Sequence, residues 1–201
     1  MAEPKMNYNL SYVDKFDIED YEGRRLYFND SVDEQVITTI AYHILRYNRL
    51  DKDIPIEERK PIILYLNSPG GSLSDGYGLI DTILSSKTPV YTVNQALCAS
   101  MGFLIFLAGH KRYTMAHSEF LMHDGSTFTW DSTAKAKDRL EFETVELEKM
   151  TKEYIMNKTN ITSDYYDEVY RKEWYFLPNT AKEYGVCDYI VGVDCDIDEI
   201  I

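Results

Sequence analysis

The strongest constraint on the fold is an almost wholly apolar run at residues 61–66 (PIILYL), which ends at residues 67–71 (NSPGG). A short apolar run of this kind is typical of a strand that is buried on both faces of a parallel sheet. A helix that carries Leu79, Ile80, Ile83 and Leu84 follows the glycines. We therefore expect a β-α unit within a parallel sheet.

The same alternation continues along the chain. A second strand is predicted at residues 90–93, an apolar helix at residues 100–108, and a third strand at residues 119–122. The order β-α-β-α-β predicts an α/β fold with a parallel sheet and right-handed crossovers. Before this region, residues 1–22 are polar and weakly patterned, which predicts an N-terminal arm outside the core.

The longest predicted helix covers about residues 134–157, and its apolar residues form two stripes. One stripe comprises Ala136, Leu140, Leu147, Met150 and Tyr154, and the other comprises Phe142, Val145 and Ile155. A helix that is apolar on two sides needs two neighbours. Two interpretations are open: both stripes flank one core, or one of them contacts another subunit.

Composition excludes several classes of function. A chain of 201 residues can form a single domain with a sizeable core. Its net charge of −13 argues against nucleic-acid binding, because contacts with phosphate need clustered Lys and Arg. The three cysteines lack metal-ligand spacing and predict reduced thiols. Neither a secretory signal nor a membrane-spanning run is visible, so we expect a cytoplasmic protein without a membrane partner.

The glycine segment at residues 67–71 is the first candidate functional site. Adjacent glycines after a buried strand let backbone N–H groups point into a cleft, where they can hold a phosphate or stabilise an oxyanion. A Walker-type phosphate loop would continue with Lys and then Ser or Thr, but Leu73 and Ser74 stand there. A plain strand-to-helix turn is the alternative for this loop by itself.

Ser100 and His123 are the second and third candidates. Ser100 lies in residues 98–102 (CASMG) at the start of an apolar helix, where the helix dipole favours developing negative charge. An ordinary N-cap serine is the alternative. His123 follows the strand at residues 119–122 and faces the same sheet edge, because parallel strands end together. We therefore expect a hydroxyl, an imidazole and backbone donors at one edge.

These segments, in this order and at these spacings, resemble the proteolytic subunit of the Clp protease (ClpP), a crotonase-like family. The resemblance covers about residues 24–192 and includes a segment at 183–188 (EYGVCD). It implies a fold of repeated β-β-α and β-α units with a mostly parallel sheet and a protruding handle helix at about 134–157. The implied division is an N-terminal arm (1–22), a protease domain (23–193) and a C-terminal tail (194–201).

The resemblance also implies roles for individual residues. Ser100 matches the nucleophile and His123 the general base, and the amides of Gly71 and Met101 match the oxyanion hole. The implied activity is that of a serine endopeptidase that hydrolyses unfolded proteins inside a chamber.

The implied assembly is a pair of stacked heptameric rings, a tetradecamer, formed alone or with a ClpP paralogue. The implied partner is an AAA+ unfoldase of the ClpX, ClpC or ClpA kind. That partner uses the ATP, and no metal or organic cofactor is implied for this chain.

Two segments depart from the family pattern. Where the family has the triad Asp, this chain has Trp174, whose only polar group is a hydrogen-bond donor. Glu173, Asn179 and a backbone carbonyl are the candidate replacements. In addition, residues 124–131 (DGSTFTWD) replace the glycine-rich strand that follows the catalytic His.

Trp174 leaves two interpretations of activity open. One is a weak or conditionally active peptidase, and the other is a nearly inactive structural or regulatory paralogue that assembles with an active one. A signal-peptide-peptidase-like enzyme would use a Ser–Lys pair, and an enoyl-CoA hydratase-like enzyme would use acidic catalysts. Neither explains Ser100 and His123 together.

Overall fold

A computed structural model describes residues 12–125 and 132–201. Its central segment confirms the predicted alternation of strands and helices. The elements of this segment are β2 (Ile62–Ser68), α3 (Leu73–Ser85), β3 (Val90–Ala99), α4 (Met101–Leu107), β4 (Lys111–Met115) and β5 (Glu119–Met122). The main differences are a longer β3 and the additional strand β4, which the sequence analysis did not predict.

Further elements flank this segment on both sides. On the N-terminal side they are α1 (Tyr12–Glu22), β1 (Arg25–Phe28), a π-helical turn (Ile37–Ala41) and α2 (Tyr42–Leu50). On the C-terminal side they are α5 (Thr133–Phe142), a π-helical turn (Glu143–Leu147), α6 (Glu148–Lys158), α7 (Ser163–Val169), β6 (Trp174–Phe176), α8 (Pro178–Glu183) and β7 (Tyr189–Val191). Two short 3-10 turns, Ile56–Glu58 and Ile197–Glu199, complete the described chain.

The sheet is mostly parallel, as predicted. Strands β1, β2, β3, β4 and β7 pair side by side in that order, and all these pairs are parallel. The length of β3 gives it two successive partners, because residues 91–94 pair with β4 and residues 97–99 pair with β5. The C-terminal ends of β3 and β5 therefore lie side by side, and β6 adds to β5 in the antiparallel direction.

The strand residues alternate between two buried clusters because successive side chains point to opposite faces of a sheet. Ile62, Leu64 and Leu66 of β2 belong to the main core, which the helices cover. Ile63 and Tyr65 belong to a smaller cluster on the other face.

The smaller cluster is closed by the C-terminal tail. Ile200 packs against it with 2% of its surface exposed, and Tyr65 donates a hydrogen bond to the Ile200 carbonyl.

A buried ion pair joins the segment before β1 to the end of α2. Arg24 donates two hydrogen bonds of 2.5 Å to the Asp51 carboxylate, and Thr88 donates a third of 2.8 Å. These hydrogen bonds satisfy a carboxylate that is almost completely buried, so the pair is costly to break.

The long helix of residues 133–158 is confirmed, with a π-helical turn between α5 and α6. Its two stripes do not flank one core, so that interpretation is wrong for most of the helix. Leu140 and Val145, one from each stripe, are 52% and 56% exposed, whereas Ile155 near the C-terminal end is buried. Contact of a stripe with another subunit stays a prediction.

Part of the predicted N-terminal arm is helical. Helix α1 covers residues 12–22, and Tyr21 at its end packs against the core. Residues 1–11, together with most of the divergent segment at 124–131, lie outside the described residues. Among the helices of the described ranges, none is long and apolar enough to cross a membrane.

Candidate active site

The turn after β2 approaches the start of α4 so closely that it requires glycine. Gly70 has a φ of +97°, and a Cβ atom there would lie 2.6 Å from Ser100 Cβ and 2.9 Å from the Met101 nitrogen. At Gly71, with a φ of +148°, a Cβ atom would lie 2.2 Å from the Val32 carbonyl oxygen. All three distances are shorter than real Cβ contacts, so side chains are excluded at these positions.

Gly71 forms a parallel β-bridge with Val32 that leaves the Gly71 amide unused. Val32 donates a 2.8 Å hydrogen bond to the Gly70 carbonyl and accepts one of 2.7 Å from the Ser72 amide. Across residues 12–125 and 132–201, neither the Gly71 amide nor the Met101 amide has an acceptor. Two free backbone donors beside Ser100 are what an oxyanion hole needs.

Ser100 has an unusual backbone conformation. Its φ is +52° and its ψ is −121°, which makes it one of two non-glycine residues with positive φ among those described. Such a conformation costs about 1–3 kcal/mol and persists only where the surroundings impose it. A 2.9 Å hydrogen bond from the Ser100 amide to the Leu121 carbonyl holds it, and the fully buried helix α4 follows. Stored strain at this serine points to a functional role.

His123 lies beside Ser100 because of the register between β3 and β5. Ala99 pairs with Leu121, so Ser100 is one residue and His123 two residues beyond the same pair. Both side chains are half-buried. Within the described residues, no hydrogen bond joins Ser100 Oγ to the His123 ring in this structure. The register thus confirms that both residues lie at one sheet edge.

One cleft brings the predicted residues together. It has a volume of about 970 Å³, and its walls include Gly71, Ser100, Met101 and His123. The outer part of the long helix forms the opposite wall, through residues such as Leu140 and Leu147. The geometry can therefore offer a carbonyl group a nucleophile, a base and two amide donors on the same side.

Trp174 does not line this cleft. It pairs with Met122 in the ladder between β5 and β6, which places its backbone next to His123. Its indole, however, stacks on Phe176 at 4.3 Å and makes edge contacts with Tyr165 and Tyr184 at 5.2 and 5.3 Å. Trp174, Phe176, Tyr165 and Tyr184 thus form an aromatic cluster, and no carboxylate stands at position 174.

In the described part of the chain, neither Glu173 nor Asn179 forms a hydrogen bond or an ion pair with His123. Glu173 is exposed and accepts a hydrogen bond of 3.4 Å from the Tyr175 hydroxyl. Asn179 is exposed in α8. This helix follows the Phe176 end of β6, which is the end farther from His123. The roles of Glu173 and Asn179 as the group that orients His123 stay predictions.

The sequence analysis missed Tyr170 and Arg171, which follow α7 and line the cleft. The signal for Tyr170 was its spacing of four residues from Tyr166, because such residues share one side of a helix. The two rings stack at 4.7 Å. Burial raises the pKa of Tyr170, so its hydroxyl is neutral at pH 7.

The cysteines and two further histidines of the described ranges lie apart from the cleft. Cys98, Cys187 and Cys195 are free thiols, and burial raises the pKa of Cys187 to about 12. Burial lowers the pKa of His43 and of His110, which lie away from the cleft. In the ranges that the structure describes, no group of three or more His, Cys, Asp or Glu residues could hold a metal ion.

Comparisons with known proteins identify the family of the chain. The family model for Clp protease matches residues 19–194. The chain is 30% identical over 173 residues to the ATP-dependent Clp protease proteolytic subunit 2 of Prochlorococcus marinus (strain MIT 9312), covering 84% of this chain and 81% of that protein.

Two further relatives carry related names. Identity is 32% over 143 residues with proteolytic subunit 2 of Treponema pallidum (strain Nichols), covering 69% of this chain and 70% of the relative. It is 28% over 174 residues with proteolytic subunit 3 of Parasynechococcus marenigrum (strain WH8102), covering 84% and 82%. A family match over most of the chain, joined to these identities, is decisive: the chain belongs to the Clp protease family.

Proposed function

We propose that this chain is a proteolytic subunit of an ATP-dependent Clp-type serine protease, with Ser100 as nucleophile and His123 as general base. The observation that supports this most strongly is the single cleft in which Ser100, His123 and the free amides of Gly71 and Met101 meet. The relatives are named as proteolytic subunits of the same kind.

The geometry suggests how the residues divide the work. His123 takes the Ser100 proton as the oxygen attacks a peptide carbonyl, and it later protonates the leaving amine. The amides of Gly71 and Met101 donate to the oxyanion, and each donor contributes roughly 100- to 1000-fold in rate. Ser100 Oγ and His123 must first come into hydrogen-bond contact, which is common in proteases that hold no substrate.

The family implies oligomeric assembly and cooperation with an ATPase. We propose heptameric rings that stack into a tetradecamer, alone or with a ClpP paralogue, in the cytoplasm. The exposed apolar stripes of the long helix support burial in such an assembly. An AAA+ unfoldase would supply unfolded protein and use the ATP, and this chain would need no cofactor. We also propose an axial arm at 1–22, a protease domain at 23–193 and a tail at 194–201.

A nearly inactive structural or regulatory subunit is the second candidate. Trp174 favours it, because this residue stands where the family resemblance places the triad Asp, and its indole stacks on Phe176 and offers no acceptor to the base. In the serine-protease template, loss of the correct carboxylate costs about 10⁴-fold in turnover.

Labelling with a fluorophosphonate probe separates the two candidates. The assembled chain, alone and mixed with an active paralogue, is treated with the probe and compared with Ser100→Ala. Stoichiometric labelling that disappears in the variant supports the peptidase. Absence of labelling in both the single and the mixed assembly would refute it and leave the structural subunit.

A further inference from the structure

The cleft that contains Ser100 has charged side chains on its walls. Apart from His123, the charged residues that line it are Asp124, Arg139, Glu143, Glu148 and Arg171. Arg139 and Glu143 form an ion pair one helical turn apart, so their charges offset each other. Asp124 and Arg171 are exposed and opposite in sign, and water and salt screen both of them. Glu148 therefore dominates the electrostatics of the cleft wall.

Glu148 is half-buried at the first position of α6. Among residues 12–125 and 132–201, no Lys, Arg or His forms an ion pair with its carboxylate. A carboxylate that is partly withdrawn from water is less screened than an exposed one, and it attracts a cation more strongly. Glu148 can thus act on the charge of whatever enters the cleft.

The neighbours of Glu148 on the long helix show where it stands. Thr144, Leu147, Thr151 and Ile155 line the cleft together with Glu148. Residues three or four positions apart share one side of a helix, so these side chains form a continuous wall. Thr151 is three residues after Glu148, which corresponds to about 4.5 Å along the helix axis.

This wall is connected to the oxyanion donors through α3. Thr151 Oγ1 lies 2.7 Å from the Tyr77 hydroxyl in a hydrogen bond. Gly76, the residue before Tyr77, approaches Met101 so closely that an added Cβ atom would collide with the Met101 side chain. Because Met101 supplies one of the two free amides, the wall has a defined position relative to the reacting carbonyl.

A direct contact between α6 and α4 fixes the same position. Tyr154 donates a 3.1 Å hydrogen bond to the Leu104 carbonyl, and the Leu104 amide donates one of 3.2 Å to the Ser100 carbonyl. Glu148 and Ser100 consequently lie on facing walls that tertiary contacts hold together.

The surroundings of Glu148 suit a long side chain with a cationic end. Phe103, Leu104, Leu147 and Ile155 give the cleft apolar walls. Lys and Arg bury their aliphatic stems along such surfaces and leave the charged group free to pair. A Glu or Asp at the same place in a substrate would be repelled by the carboxylate.

We propose that Glu148 is a specificity-determining residue: its carboxylate binds a Lys or Arg side chain of the substrate next to the scissile bond, while the apolar walls take the aliphatic stem. The inference rests on the proposed peptidase function and names a substrate preference of that same site.

The test uses the assembled full-length protein and three internally quenched peptides. The peptides are identical except at one residue next to the cleaved bond, which is Lys, Met or Glu, and mass spectrometry verifies the bond that is cut. Glu148→Gln removes the charge and keeps the shape. Glu146→Gln is the matched control, because Glu146 is exposed on the same helix and does not line the cleft.

We expect the unsubstituted protein to have a higher kcat/KM for the Lys peptide than for the Met peptide. In Glu148→Gln this ratio should fall about three- to tenfold, the factor that one partly exposed ion pair supplies, at an unchanged kcat/KM for the Met peptide. Glu148→Lys should favour the Glu peptide instead. An unchanged ratio in Glu148→Gln would overturn the proposal, and so would an equal fall in Glu146→Gln.

Peptide binding separates this inference from the proposed function. Absence of hydrolysis and of labelling at Ser100 in the unsubstituted protein would reject the peptidase. The affinities of the Lys and Met peptides, measured by fluorescence anisotropy in the Ser100→Ala background, decide the role of Glu148 without turnover. Tighter binding of the Lys peptide that is lost in Ser100→Ala/Glu148→Gln would support that role, and equal binding of the two peptides would reject it.

Discussion

The contact between the glycine turn and the nucleophile segment predicts a large effect of Gly70→Ala. A φ of +97° costs an alanine about 1–3 kcal/mol. The added Cβ would also stand 2.6 Å from Ser100 Cβ, whereas non-bonded carbon atoms prefer roughly 3.5–4.0 Å. The turn and Ser100 must therefore separate by about 1 Å.

Such a shift would lower the catalytic rate more than the stability of the fold. A displacement of about 1 Å in a catalytic group can cost roughly 100-fold in turnover. A loss of about 1–3 kcal/mol corresponds to a fall in Tm of roughly 2–12 °C for a chain of this size. We therefore expect Gly70→Ala to assemble and to be labelled by fluorophosphonate about 100-fold more slowly.

Gly78→Ala serves as the control for this prediction. Gly78 lies in α3, and the nearest atom to an added Cβ is the end of the flexible Ile37 side chain at 3.0 Å. Alanine also favours a helix over glycine by about 1 kcal/mol. The labelling rate and Tm are measured on intact particles of both variants. Labelling of Gly70→Ala at the unsubstituted rate would refute the argument that this close approach positions Ser100.

Three further predictions follow from the packing. Trp174→Asp should turn over peptide at least about tenfold faster than the uncharged Trp174→Asn, because a carboxylate stabilises the imidazolium form of His123. Equal rates for the two variants would show that a side chain at position 174 does not reach His123. Asp51→Asn should lower the free energy of unfolding at pH 7 by about 3 kcal/mol. Arg24 holds the pKa of Asp51 below its usual value, so this deficit should shrink as the pH falls below about 4, in denaturant titrations at each pH. Ile200→Ala should cost about 2–4 kcal/mol by uncovering the smaller cluster, with Ile201→Ala, at an exposed residue, as the neutral control in thermal unfolding.

Several features of the fold were predictable because they depend on local pattern. The apolar run at residues 61–66 forms β2, and the helix that begins after Ser100 is as apolar and as buried as expected. His123 at the end of β5 lies at the same sheet edge as Ser100, since parallel strands end together. The glycine turn also has the backbone conformation that glycine alone adopts easily.

Other features escaped prediction because they depend on residues that are distant in the chain. Strand β4 is short and half polar, and it forms because the first half of β3 offers an open edge. The exposure of the long helix depends on where the core lies relative to it. The sequence shows two apolar stripes on this helix but does not show which of them packs against other residues.

The sequence by itself determined the class of fold, the family resemblance and the meeting of Ser100, His123 and the glycine turn at one sheet edge, because these follow from local patterns and from the shared direction of parallel strands. Only the tertiary structure decided that the indole of Trp174 packs into an aromatic cluster and that Tyr170 and Arg171 line the cleft. The position of the indole depends on Tyr165 and Tyr184, which contact it from other segments of the chain. Side-chain directions in a packed core are set jointly by all neighbours, and no single segment of the chain contains that information.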